Sequence, residues 1–175
     1  RLDVGDEAKL LFGEVSFSGH LPLTFYRDIA DLPAFEDYSM ANRTYRYFTG
    51  TALYPFGYGL SYTTFEYGKA TCRKGGKGFK VSIDVTNTGS REGKEIVQLY
   101  IADSEASVDR PAKELKGFEK VFLKAGQTKE VEFVLTPDDL SFCRKDMVWG
   151  TEPGDFSIWI GDDCEAELEG KFTIK

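Results

Sequence analysis

From Phe79 onward the chain alternates. In "FKVSIDVTNTG" Phe79, Val81, Ile83 and Val85 share one face, Lys80, Ser82, Asp84 and Thr86 the other, and an Asn-Thr-Gly turn follows at 87–89. A period of two is the signature of a half-buried strand, and it cannot be satisfied by a helix. The same period returns in "KEIVQLYIAD" with Val97, Leu99 and Ile101, although Ile96 and Tyr100 make its opposite face partly apolar. It returns again in "ELKGFEKVFLKAGQTKEVEFVLT", two strands around a "KAGQ" turn, where Val131, Phe133 and Leu135 oppose Glu130, Glu132 and Val134. "GDFSIWIGD" sets Phe156, Ile158 and Ile160 inside and Trp159 outside, and "GKFTIK" closes with Phe172 and Ile174. "PDDLSF" reads as a single helical turn in which Pro137 fixes φ and Asp138 caps. With one more strand near 61–67, the count is about seven to eight short strands and no long helix after residue 65. The fold class expected is mostly β, an immunoglobulin- or fibronectin III-like sandwich over residues 65–175.

The N-terminal part has a different grammar. "DEAKLLFGEV" carries Ala8, Leu11, Phe12 and Val15 at helical spacing, ending near Gly13. "GHLPLTFY" alternates Leu21, Leu23 and Phe25 against His20, Pro22 and Thr24, as a short proline-bearing strand would. "RDIADLPAFEDYSMANR" has no period and reads as an irregular connection. One helix and one strand do not make a domain, so residues 1–40 are expected to be a remnant of a preceding α/β unit. Arg1 is not an initiator Met, which points to a piece of something longer.

Between these parts, residues 41–64 form a connector crowded with rings: Tyr45, Tyr47, Phe48, Tyr54, Phe56, Tyr58 and Tyr62, with Phe65 just beyond. It is too aromatic for a solvated loop and too rich in Gly and Pro for a helix. Interlocking rings stiffen a joint, and Gly57 and Gly59 let the backbone turn tightly among them. These eight residues are expected to pack between domains. The competing expectation is that Arg43, Tyr45, Tyr47 or the outward Trp159 meets a sugar, because pyranose rings stack on exposed aromatic faces.

Chemistry is sparse elsewhere. The net charge of −7 and the dispersion of its 29 acidic residues exclude a phosphate-tracking surface. "CRKGGKGFK" at 72–80, the densest basic run, reads as a glycine hairpin. Apolar runs are too short to span a bilayer as a helix. Cys72, Cys143 and Cys164 lie far apart and read as buried or partly buried free thiols; with one histidine, His20, they offer no zinc site. The Asp pairs at 138–139 and 162–163 sit in turns, where Asp bonds its own backbone. No nucleophile elbow or phosphate loop occurs. Arg110 could anchor a carboxylate of a neighbouring domain or form a surface ion pair.

The aromatic stretch carries a resemblance. "NRTYRYF" (42–48) and "YPFGYGLSYTTF" (54–65) resemble the joint of glycoside hydrolase family 3 enzymes, the β-glucosidase and β-xylosidase group. "LLFGEVSFSGHLPLTF" (10–25) is similar to the close of that family's second domain. "VTNTGSREGKEIVQLYI" (85–101), "RPAKELKGFEKVFLKAGQTKEVEFVLTPDDLSF" (110–142) and "EPGDFSIWIG" (152–161) are similar to its fibronectin type III-like domain. Phe17 and His20 stand where the family has proline and arginine or lysine. The resemblance implies a retaining double displacement by an Asp and a Glu, both in upstream domains. No catalytic residue, metal or cofactor is therefore expected here. The resemblance implies a non-catalytic accessory role or, alternatively, a carbohydrate-binding one. The partners it implies are the upstream catalytic domains of the same polypeptide and oligosaccharide, and the parent is expected in a bacterial periplasm or secreted. Self-association of the fragment, or folding back of residues 1–40, is expected from its bared apolar surface.

Overall fold

The computed structural model describes residues 4–76 and 78–175. Helix α1 (Val4–Leu11) opens the chain, a 3-10 turn occupies Ile29–Asp31, and a single turn, α2 (Thr44–Tyr47), starts the connector. Ten strands follow: β1 (Phe65–Tyr67), β2 (Thr71–Gly75), β3 (Gly78–Asn87), β4 (Gly93–Asp103), β5 (Glu114–Leu123), β6 (Thr128–Leu135), β7 (Phe142–Cys143), β8 (Trp149–Gly150), β9 (Gly154–Gly161) and β10 (Leu168–Ile174). One turn of helix, α3 (Pro137–Leu140), separates β6 from β7.

Eight strands build two antiparallel four-stranded sheets. In the first, β6 pairs with β3 over 79–86, while β1 and β2 pair with successive parts of β3. The second runs β10-β9-β4-β5. The chain crosses between sheets at β3 to β4, β5 to β6, and β6 to β9. The core between them is the alternating set: Val81, Ile83 and Val85 face Val97, Leu99 and Ile101, closed by Val121, Leu123, Val131, Leu135, Phe156, Ile158, Ile160 and Phe172. Asp84, Glu130 and Glu132 are exposed, as their phase requires. The sandwich expectation holds, and β7–β8 is a small extra hairpin.

Three local expectations are corrected. Thr136, not Asp138, caps α3: its hydroxyl accepts from the Asp139 amide, and the Asp139 carboxylate accepts from the Thr136 amide at 2.8 Å. Asp139 thus completes a capping box, leaving Asp138 free of that duty. Cys143 is exposed, whereas Cys72 and Cys164 are half-buried; all three are free thiols. The 19–26 segment is no strand. It meets the connector through two isolated bridges, His20 with Gly59 and Phe25 with Tyr54. Pro22 on one side and Pro55 on the other lack N–H groups, so the ladder cannot continue between them.

Candidate functional site

The connector runs across the outer face of the second sheet. β4 shows why: Gln98 and Tyr100 point away from the core, yet they are 3% and 0% exposed. What covers them is the connector. The Tyr45 ring stacks on Phe56 at 4.3 Å and meets Tyr100 edge-on at 5.8 Å, while its hydroxyl accepts from the Leu115 amide at 3.0 Å. Tyr100 donates to Gln98 Oε1 at 2.6 Å. Gln98 Nε2 in turn donates to the carbonyls of Gly57, at 3.1 Å, and Asp162. A buried amide is tolerable only when satisfied, and this one links the connector, β4 and the turn after β9. Burial pushes the Tyr100 phenol far above its ordinary range, so it stays a donor.

Backbone bonds sew the 16–26 segment to the connector's other side. Leu21 donates to Tyr58 O and Gly57 to Leu21 O, each at 2.8 Å; Phe25 donates to Tyr54 O at 2.9 Å and Leu53 to Phe25 O at 2.8 Å. Rings follow the same seam. Phe25 meets Tyr54 edge-on at 6.2 Å, Tyr26 meets Phe48 at 4.9 Å, Phe17 meets Tyr62 at 5.3 Å, and Tyr54 leans on Tyr58 at 5.1 Å. The Tyr62 hydroxyl donates to Leu10 O at 2.8 Å, which reaches back to α1.

Two glycines permit the approach, for different reasons. Gly57 has φ +89°, and a Cβ there would overlap the Gln98 amide. Gly59 needs no unusual φ; a Cβ there would come within 2.6 Å of the His20 ring. Gly59 is present for space rather than for the tight turn expected of it.

The single-letter pattern was less informative for other residues. Arg43 donates to the carbonyls of Ser39, at 2.9 Å, and Asp37, a local clasp within its own loop. Tyr47 is half-buried and pairs with no other ring among the described residues. Phe65 packs against the sandwich core. Trp159 lies on the outer face of β9, half-buried, with the Lys113 ammonium 4.9 Å from its ring centroid. Lys113 also donates to Cys164 O at 2.8 Å and Ala166 O at 3.1 Å. Trp159, Tyr45, Phe48, Thr24 and Glu165 line a cleft of about 360 Å³. Arg110 turns inward to Glu114 and stacks 4.3 Å over Phe142. Its partner is thus within the sandwich, and sequence gave no sign of that choice. Gln98, the organising residue of the joint, was likewise missed. A polar residue at an outward strand position looks solvated unless the roof above it is known.

Apolar side chains remain bare along the N-terminal part. Phe12 is 84% exposed, and Phe35 and Tyr38 are each 90% exposed, with Leu11, Ile29 and Leu60 also largely open. Among the described residues no group of His, Cys, Asp and Glu is arranged to hold a metal.

The glycosyl hydrolase family 3 C-terminal domain matches residues 5–62, and the fibronectin type III-like domain matches residues 95–164. The chain belongs to the C-terminal region of glycosyl hydrolase family 3. Among curated relatives of this family 3 region, the periplasmic β-glucosidase of Salmonella typhimurium is 40% identical over 95% of this chain and 24% of its own length. The xylan 1,4-β-xylosidase of Xylanibacter ruminicola is 46% identical over 95% of this chain and 20% of its own length. The chain therefore spans a fifth to a quarter of these relatives. The crystal structure of the Bifidobacterium adolescentis family 3 β-glucosidase superposes with a TM-score of 0.86 at 32% identity, covering 97% of this chain and 27% of that one.

Proposed function

We propose that this family 3 region is a non-catalytic brace: a β-sandwich held by its ring-laden connector against the catalytic domains of a retaining, exo-acting β-glucosidase or β-xylosidase. In this reading residues 1–40 complete the preceding α/β domain, 41–64 form the joint and 65–175 the brace. The observation that carries it is the use to which the rings are put. Tyr45, Phe48, Tyr54, Phe56, Tyr58 and Tyr62 pack against one another, against the 16–26 segment, or against Tyr100. A ring engaged on both sides has no face left for a pyranose. Trp159, the other sugar candidate, carries an ammonium on its ring.

The bare apolar side chains on residues 11–40 suit an interface with those upstream domains, since large exposed patches mark contact surfaces. Neither carboxylate of a retaining pair has a matching motif here, so catalysis is assigned to the upstream part of the polypeptide. The name of the Salmonella relative supports a periplasmic or secreted setting.

The test is a ranking in the full polypeptide. Replacing Tyr58 and Tyr62 by Ala should lower the melting temperature while leaving KM for aryl glycosides within about twofold, the signature of lost packing rather than lost binding. A large rise in KM at unchanged stability would favour the sugar-contact reading. Turnover of aryl glycosides by the purified 175-residue chain would overturn the assignment of catalysis elsewhere.

A further inference from the structure

His20 is the only histidine in the chain, and it sits where the joint is tightest. Its Nδ1–H donates to the Gly57 carbonyl of the connector and to Asp162 O, 3.0 Å away, in the turn after β9. With Nδ1 the donor, Nε2 is a bare lone pair in the neutral ring and an N–H only in the charged one. No hydrogen-bond partner for Nε2 occurs among the described residues. Beside the ring lies a cavity of about 150 Å³, lined by His20, Tyr67, Lys94, Glu95 and Asp162 together with uncharged connector residues. That is room for water to bridge polar groups.

Glu95 is the unusual member. It belongs to β4, is 5% exposed, and accepts from the Tyr67 hydroxyl at 2.7 Å. No cation pairs with it among the described residues: Lys94, its neighbour, is exposed, and Asp162 and Asp163 add negative charge nearby. A buried carboxylate with one neutral donor is poorly compensated. The nearby group that can become a cation is His20.

We propose that His20 and Glu95 form a proton-operated latch between the 16–26 segment and the sandwich, closed when the imidazole is charged and the carboxylate ionised. The direction of Glu95's titration agrees: burial raises it, while the Tyr67 hydroxyl and a charged His20 pull it down. The sign follows. A carboxyl group raised by burial favours the fold while protonated, and that contribution is lost as pH rises through its folded value. His20 offsets the loss only while it is charged, and histidine sheds its proton between about pH 5 and 8. The latch is therefore closed in a mildly acidic window and slack above neutrality. Protonation of Glu95 opens it again on the acid side.

The inference rests on the brace reading only for its consequence in the whole enzyme, since the latch itself is measurable in this chain without activity. Because His20 is the sole imidazole, its NMR resonance reports one site. Its titration midpoint should fall by about 0.5 pH unit or more in Glu95→Gln, the loss of an opposing charge. Hydrogen exchange at the Leu21 and Gly57 amides, corrected for intrinsic rate, should speed up about threefold or more between pH 6 and 8. In His20→Arg, which keeps its charge, that acceleration should vanish. An unmoved midpoint in Glu95→Gln, or exchange that accelerates equally in wild type and His20→Arg, overturns the proposal. The His20→Arg comparison stands alone if Glu95→Gln does not fold. Either result leaves the brace reading untouched, because that is judged by the stability and KM ranking of the tyrosine variants.

Discussion

Gly57→Ala, measured against Gly126→Ala, isolates the energetic value of the joint. Both glycines have left-handed backbones, φ +89° and +73°, so a side chain at either meets a backbone penalty of about 1–2 kcal/mol. They differ in what the new methyl meets. At Gly126, in the turn between β5 and β6, nothing lies within 4 Å. At Gly57 the Cβ would displace Gln98, whose amide holds the carbonyls of Gly57 and Asp162 and accepts from Tyr100. Three hydrogen bonds at roughly 0.5–1.5 kcal/mol each bring the expected loss to about 3–5 kcal/mol. For a chain of this size each kcal/mol lowers Tm by about 2–4 °C. Gly57→Ala should thus melt about 10 °C below wild type and Gly126→Ala about 4 °C below, by calorimetry or urea unfolding. Equal losses would mean that the Gln98 network contributes nothing beyond backbone strain, and that the joint is not held as described.

Other perturbations follow from the same contacts. Tyr45→Ala removes the Phe56 stack, the Tyr100 edge contact and the bond to Leu115, and should cost about 2–4 kcal/mol in chemical denaturation; a loss below about 1 kcal/mol would put the connector's rings outside the fold's energetics. Glu95→Gln should gain stability relative to wild type as pH rises from 4 to 8, because the raised carboxyl is penalised when ionised. A constant difference across that range would refute the assignment of the penalty to Glu95. Burial pushes the Cys164 thiol up to about 11 and raises Cys72 as well, whereas Cys143 is exposed. A thiol reagent at pH 8 should therefore label one cysteine quickly in the native chain and three in denaturant. Arg110→Ala, which leaves the Glu114 carboxylate with Lys116 and Arg46 and bares Phe142, should destabilise by about 1–2 kcal/mol in urea.

The sandwich was legible because a buried sheet face imposes a period of two, and β3, β6 and β9 obey it residue by residue. β4 was half legible. Ile96 and Tyr100 hinted that its outer face was apolar, but nothing local indicated that the roof came from residues 45–57. The 19–26 segment misled for a related reason. Its alternation is real, yet Pro22 and Pro55 remove donors on both sides, and that defect shows only once the pairing is known. Arg110 and the Thr136 cap were misassigned because competing partners stand at equally good spacing, and tertiary packing alone selects among them. Gln98 and Glu95, the polar residues that organise the joint, read as solvent-facing in any one-dimensional pattern.

The roof over β4 has a consequence for how the chain can be divided. A sandwich cut free at Phe65 would keep every strand and its entire inner core, yet it would leave a tyrosine and a glutamine suddenly wet in the middle of a sheet. Such a piece would be less an independent module than a wall with its cladding removed. Shuffling this unit between enzymes by recombination should therefore succeed only when the breakpoint lies ahead of the ringed segment, so that neck and sandwich are inherited together.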